Sequence, residues 1–123
     1  MTISAASKNF KALNEEIKAA PDGAIELIGV LGQRYIGAGL SGKQISIQGV
    51  PGNALGAYME GSTIVVHGNG QDAVGDTMNE GEIVVHGSCG DALGYAMRGG
   101  HIYVQGSAGY RCGIHMKAYH DKI

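Results

Sequence analysis

The sequence predicts an all-β fold: a parallel β-helix built from turns, or rungs, of 19 residues, with a short α-helix capping its N-terminal end. Three observations lead to this prediction. Glycine supplies 22 of the 123 residues, several residue types recur at intervals of 19, and each repeat contains a short strand of the form Ile-x-Val. Because 44% of the residues are hydrophobic and only two are proline, neither a disordered glycine-rich linker nor a collagen triple helix fits the composition.

The repeat is defined by six columns, each a set of positions related by steps of 19 residues without an insertion. They hold a corner glycine, the apolar residue before it, the Leu or Met three places after it, two strand positions and a second glycine. The columns are Gly37/Gly56/Gly75/Gly94/Gly113, Ile36/Leu55/Val74/Leu93/Cys112, Leu40/Met59/Met78/Met97/Met116, Ile45/Ile64/Ile83/Ile102, Ile47/Val66/Val85/Val104 and Gly49/Gly68/Gly87/Gly106. A βαβ unit needs about 30 residues, and the leucine-rich pattern is absent. We therefore expect the residues of one column to stack about 4.8 Å apart on successive rungs.

Glycine and short polar residues are predicted at the corners between strands. A tight corner requires glycine either because φ is positive or because a Cβ would collide with the next rung. Asn53, Asp72 and Asp91 form a further column directly after a corner. Their side chains are expected to bond to nearby backbone N–H groups as Asx turns. A metal site is the alternative, but Asn53 interrupts the acidic column and no third carboxylate joins it.

Residues 1–23 are predicted to form an N-terminal helix and cap. Ser7 is a candidate N-cap, Phe10, Leu13 and Ile17 follow helical spacing, and the Pro-Asp-Gly sequence that comes next ends the helix. The end of a β-helix exposes strand edges and core, so a short amphipathic helix is the expected cover. The alternative is a helix that binds a partner.

Residues 24–123 are predicted to form the β-helix domain, beginning with an irregular rung at 24–31 in which Ile28 lies 19 residues before Ile47. Gly113 opens a fifth repeat, but no Ile-x-Val strand follows it. An uncovered end would expose strand edges. We therefore expect either a domain truncated at its C-terminal end or an end closed by a partner or by a second copy in a homo-oligomer.

Charged residues that break the columns are the candidates for partner contacts. Arg111 stands where other rungs have alanine, and His115 and Lys117 lie close to it in sequence. Arg34 is a similar irregularity in the first rung. These four residues either end and solvate the stack or form a docking surface for another domain. A catalytic role is the least favoured interpretation.

Neither the histidines nor the cysteines form a recognisable catalytic or metal site. His67 and His86 share a column with glutamines, and zinc needs three or four ligands, so an outward polar ladder is the favoured interpretation. Cys112 stands in an apolar column and Cys89 at a turn. Neither belongs to a C-x-x-C pair or has a His or acid fixed beside it by the register. The sequence predicts no catalytic, cofactor-binding or metal-ligating residue.

Composition argues against two classes of partner. The formal net charge is −2, from 9 basic and 11 acidic residues, which gives no electrostatic footprint for nucleic acid or an anionic membrane. No apolar run approaches the ~18 residues needed to span a bilayer, and the first ten residues lack the apolar core of a signal peptide. We expect a cytoplasmic chain with reduced thiols.

The spacing G-x-x-G-x-x-x-G recurs in three rungs and resembles the GXGXG domain at the C-terminal end of the glutamate synthase large subunit. The resemblance covers residues 24–119 and is especially clear for the stand-alone form, in stretches such as "GNGQDAVGDTMNEG" and "GYRCGIHMK". The corresponding subunit of formylmethanofuran dehydrogenase is also similar. Gln71 replaces one motif glycine, and Val30 and Gln33 replace two in the first rung. The motif glycines are Gly49, Gly52, Gly56, Gly68, Gly75, Gly87, Gly90, Gly94, Gly106, Gly109 and Gly113.

The resemblance implies a right-handed β-helix with a structural role and no catalytic residue of its own. Such a domain holds a glutamine amidotransferase against a synthase unit that carries FMN and iron–sulfur clusters, and ammonia from glutamine there converts 2-oxoglutarate into glutamate. The cofactors are therefore expected in the partners, as part of an oxidoreductase complex of glutamate biosynthesis. Two alternatives stay open: a formylmethanofuran dehydrogenase subunit, and a self-associating β-helix interaction module unrelated to amidotransfer.

Overall fold

The structure is a computed structural model that describes residues 1–91 and 94–106. Its six strands form one sheet in sequence order, and every neighbouring pair is parallel. The elements are β1 (Thr2–Ser4), α1 (Phe10–Ala19), β2 (Gly23–Leu31), β3 (Lys43–Val50), β4 (Glu60–Val66), β5 (Glu80–Val85) and β6 (His101–Val104). The described part of the chain is thus an all-parallel β-solenoid of about four turns with one short helix, which confirms the predicted fold class.

The strand register confirms the predicted columns. The two strand columns, Ile45 to Ile102 and Ile47 to Val104, pair residue for residue across β3, β4, β5 and β6. Their side chains are at most 1% exposed. Met59 and Met78 are fully buried in the same hydrophobic cluster. One continuous core therefore runs along the solenoid, as stacked rungs require.

The first rung departs from the expected register. Leu27, not Ile28, pairs with Ile47, and Ile28 is 40% exposed. Between Leu27 and Val30 the strand β2 contains a bulge, in which two of its residues oppose one residue of β3. The 19-residue offset begins after this bulge. Gly29 lies within it at a φ of +68°, a left-handed conformation that glycine adopts without steric cost.

The helix is present but its predicted N-cap is wrong. Asn9 caps α1, because its side-chain Oδ1 accepts a hydrogen bond of 2.8 Å from the Ala12 N–H. Ser7 lies two residues earlier, with a left-handed φ of +62°. The end of α1 at Ala19, two residues before Pro21, agrees with the Pro-Asp-Gly stop signal.

Strand β1 was not expected from the sequence. It adds an edge to the sheet beside β2, and Ile3 pairs with Leu27 and is 3% exposed. Three residues are too few to display a period-two pattern, so nothing in the sequence distinguished this segment from a loop.

Helix α1 packs on the first rung. Leu13 and Ile17 are fully buried and belong to the same hydrophobic cluster as the strand columns. The buried Lys43 ammonium on β3 holds the end of the helix: its Nζ donates to the Ala20 carbonyl at 2.9 Å and contacts Asp22 Oδ1 at 3.0 Å. The opposite end of the solenoid, with the fifth repeat predicted from residue 113 onward, lies outside the described residues.

Candidate functional site

The corner glycines are required for both of the reasons that the sequence suggested. Gly37 and Gly56 have φ values of +76° and +68°. A Cβ added to either would lie 2.6 Å from the Cδ1 of a core isoleucine, Ile64 or Ile83, on the following rung. The glycine column therefore makes room for the isoleucine column, and these two features of the repeat depend on each other.

At the second glycine column, Gly49/Gly68/Gly87/Gly106, the backbones of successive rungs lie against each other. A Cβ on Gly87 would lie 2.7 Å from the carbonyl oxygen of Gly68, and a Cβ on Gly106 would lie 2.7 Å from that of Gly87. The same rungs are joined by hydrogen bonds, since the Gly87 N–H donates to Gly68 O at 2.9 Å. A carbonyl group of the neighbouring rung cannot move aside as a side-chain tip can, so this column tolerates no side chain.

The polar column next to the motif forms a ladder between rungs and not the local Asx turns that we expected. Asn53 Oδ1 accepts a hydrogen bond from the Asp72 N–H at 3.1 Å, and Asp72 Oδ1 accepts one from the Asp91 N–H at 2.8 Å. Each side chain thus reaches the backbone 19 residues later. The Asp72 carboxylate occupies the place that a Cβ on Gly90 would take, which explains a motif glycine without a positive φ.

In two further corner columns the backbone is left-handed, although most of the residues are not glycine. Their φ values of +52° to +62° place an N–H of each rung against a carbonyl of the next, as in the bond of 2.9 Å from Tyr58 N–H to Asp76 O. The corner glycine between them bonds in the other direction, since the Gly56 N–H donates to Ile36 O at 2.8 Å. The non-glycine members of these columns are Tyr35, Ala54, Ala73, Tyr58, Thr77 and Ala96.

The histidine column lies on the outward face of the sheet, as predicted. The His67 and His86 rings stack with their centroids 5.4 Å apart and 17° between their planes. His67 Nε2 lies 3.1 Å from Ser46 Oγ, and His86 Nδ1 lies 3.0 Å from Gln105 Oε1. Across residues 1–91 and 94–106 there is no group of three or more His, Cys, Asp or Glu side chains that could hold a metal ion.

Only one of the four residues proposed for partner contacts lies in the described part of the chain. Arg34 is exposed, its guanidinium lies 4.6 Å from the centre of the Phe10 ring, and its carbonyl accepts a hydrogen bond from Asn14 of α1. Arg34 therefore stands where the helix meets the first rung. Arg111, His115 and Lys117, together with the motif glycines Gly109 and Gly113, lie outside the described residues.

The surface charge differs between the two ends of the described chain. Residues 44–106 carry one cation, Arg98, and six carboxylates. Residues 1–43 carry five cations and four carboxylates, and one of those cations, Lys43, is buried. The exposed positive charge is therefore concentrated near α1, whereas the rungs are acidic.

The sequence from residue 16 to residue 121 matches the GXGXG motif family. The chain belongs to this family. The family is that of the C-terminal domain of the glutamate synthase large subunit, which confirms the resemblance found in the sequence. No curated protein and no solved structure shows significant similarity to the chain. The described part of this GXGXG domain contains no helix that is both long enough and apolar enough to cross a membrane.

Sequence reasoning missed the side chains that fasten the N-terminal segment to this GXGXG domain. Gln33 replaces a motif glycine and is 9% exposed. Its Nε2 donates to the carbonyls of Ala5 and Lys8, both at 2.9 Å, and its Oε1 accepts from the Leu31 N–H at 2.8 Å. The signal was present, since Lys43 stands in a column of serine and glycine and Gln33 in a column where Gly52 and Gly90 are the motif residues, but a departure from a column does not reveal its partner.

Proposed function

We propose that this GXGXG domain is a structural part of a glutamate synthase-type enzyme in the cytoplasm. It holds a glutamine amidotransferase against a synthase unit that carries FMN and iron–sulfur clusters. The amidotransferase releases ammonia from glutamine, and the synthase uses that ammonia to convert 2-oxoglutarate into glutamate. The chain supplies neither a catalytic residue nor a cofactor ligand to these reactions.

The observation that carries the proposal is the use of the family motif in packing. At eight of the motif glycines in the described part of the chain, an added Cβ would lie closer than 3.0 Å to an atom of another residue, and most of these neighbours belong to the adjacent rung. The glycines of the motif that defines the family thus allow successive rungs to stack closely. A stack of rungs joined by hydrogen bonds at strands and corners suits a rigid spacer between larger units.

Copurification of the full chain from its source cells, followed by mass spectrometry, tests the proposal. We expect to recover a glutamine amidotransferase together with a flavoprotein that contains iron–sulfur clusters, and to measure FMN and iron in the complex. The purified chain alone should form no glutamate from glutamine and 2-oxoglutarate. Glutamate formation by the isolated chain would contradict the structural role.

The other interpretations of the family resemblance predict different partners. A partner with a pterin-bound metal would replace the proposal by a formylmethanofuran dehydrogenase-type complex. Recovery of the chain only with copies of itself would replace the proposal by a self-associating module.

Arg34→Glu and Arg111→Glu/Lys117→Glu test the predicted contacts with a partner. Arg98→Glu is the control, because it reverses a charge of the same sign on the acidic part of the chain.

A further inference from the structure

A groove of ≈ 290 Å³ lies between α1 and the corner of the first rung. Phe10, Tyr35, Ala38 and Leu40 provide its apolar surface. Leu40 belongs to the same column as Met59, which is fully buried, yet Leu40 is only partly buried. In the first rung this core column therefore reaches the surface, because α1 covers it incompletely.

The rim of this groove is positively charged. Lys11 and Lys18 are both exposed and line the groove from α1, seven residues apart and therefore on one face of the helix. Glu15 is the one carboxylate among the lining residues, and the Arg34 guanidinium lies over the ring of Phe10, which lines the groove. This excess of cations contrasts with the acidic rungs and with the formal net charge of −2 for the whole chain.

Exposed tyrosines adjoin the groove at positions where glycine would be less strained. Tyr35 lines the groove and is 44% exposed, and Tyr58 is 57% exposed. Tyr58 stands one rung above Gly39, between the groove residues Ala38 and Leu40 in register. Both tyrosines have left-handed backbones, which residues with a Cβ adopt unfavourably. Tyrosine and arginine are, with tryptophan, the side chains enriched at energetically important positions of protein interfaces.

We infer that this groove binds a segment of a partner polypeptide that places an apolar side chain against Phe10 and Leu40 and carboxylates beside Lys11 and Lys18. The apolar surface selects the inserted side chain, and the charge of the rim selects acidic neighbours. The inference deepens the proposed function and rests on it, because it names the surface by which the domain meets one of its partners.

Site-specific photo-crosslinking in the source cells tests this inference on the full chain. p-Benzoylphenylalanine is placed at Ala38 in the groove, and at Gln48 on the outward sheet face as a positional control. Crosslinked peptides are identified by mass spectrometry. We expect the Ala38 adduct to contain a peptide of another polypeptide with more Asp and Glu than Lys and Arg.

Charge reversal then tests the role of the rim. In the Lys11→Glu/Lys18→Glu background the Ala38 adduct should fall by about fivefold or more, as the loss of two surface charge contacts would give. Lys11→Gln/Lys18→Gln should give an intermediate yield. Glu80→Lys/Glu82→Lys, which reverses two charges on β5, is the matched control and should keep the yield within about twofold of the unchanged chain.

Several results would overturn the inference: no adduct at Ala38, an adduct with a second copy of the chain, an adduct with a basic peptide, or a yield that charge reversal leaves unchanged. Copurification separates this failure from a failure of the proposed function. If the amidotransferase and synthase still copurify with the Lys11→Glu/Lys18→Glu chain, the groove is not their docking site although the proposed function stands. If the acidic adduct forms but neither enzyme copurifies with the unchanged chain, the proposed function fails, and the groove no longer stands as a contact with either enzyme.

Discussion

Replacing Gln33 by glycine, which restores the family motif, should destabilise the protein. The same replacement at Gln71 should have little effect. The two residues occupy one column, in which Gly52 and Gly90 are the motif residues. Gln33 is 9% exposed and makes three hydrogen bonds. Gln71 is exposed. Gln33→Gly therefore removes buried interactions, and Gln71→Gly removes an exposed side chain.

The difference between the two variants isolates those hydrogen bonds. Each neutral hydrogen bond contributes about 0.5–1.5 kcal/mol, so the loss of three predicts about 2–3 kcal/mol. Both variants also lose up to about 1 kcal/mol because glycine has more conformational freedom when unfolded. We therefore expect Gln33→Gly to lower the free energy of unfolding by about 3 kcal/mol and Gln71→Gly by at most about 1 kcal/mol.

Urea unfolding followed by circular dichroism gives the two free energies. Hydrogen exchange locates the effect: amide protection should fall in residues 1–20 of the Gln33→Gly protein and stay unchanged in β4 and β5. Equal destabilisation by the two substitutions would contradict this prediction, because it would mean that the Gln33 bonds do not hold the N-terminal segment. A loss of protection throughout the solenoid would refute the local role of Gln33.

Three further substitutions, two of them paired with a control substitution, test other packing and hydrogen-bond contacts by urea unfolding. Lys43→Met removes a buried ammonium and leaves the carbonyl of Ala20, the C-cap of α1, without its donor, so we expect a loss of about 2 kcal/mol and faster hydrogen exchange in α1. Gly87→Ala forces a Cβ against a backbone carbonyl and should cost about 3 kcal/mol or more, whereas Gly39→Ala, which has open space around the added carbon, should cost about 1 kcal/mol. Asp72→Ala removes the acceptor of a hydrogen bond between rungs and should cost about 1 kcal/mol, whereas Asp72→Asn, which keeps an acceptor, should cost less than about half of that.

The rungs could be predicted because their register is written directly in the sequence. Six columns keep a spacing of 19 without insertion, so the pairing partners of Ile64 and Val66 are found by adding or subtracting 19. Glycine was assigned to the corners for the correct reasons. The sequence did not reveal that Tyr58 and Thr77 adopt the same left-handed conformation, since the alternating hydrogen bonds between rungs impose it on whatever residue stands there.

The N-terminal third was harder to predict because its contacts do not follow the period. The bulge at Gly29 shifts the register by one residue, and β1 is too short to show a pattern. Asn9 and Ser7 are both acceptable N-caps by residue type, and only the backbone conformation separates them. The contact of Arg34 with Phe10 is likewise tertiary, since it joins a helix to a corner.

In the described part of the chain, the residues that follow the repeat and the residues that break it have different roles. Motif glycines such as Gly56 and Gly87 are confined to stacking, because a side chain at either would enter the next rung or displace a neighbouring backbone group. Such positions cannot distinguish one partner from another. Three of the residues that break columns, Gln33, Lys43 and Arg34, lie where α1 meets the first rung. The repeat therefore sets the shape of the domain, and of these three residues Arg34 is the one exposed to a partner, since Gln33 and Lys43 are buried.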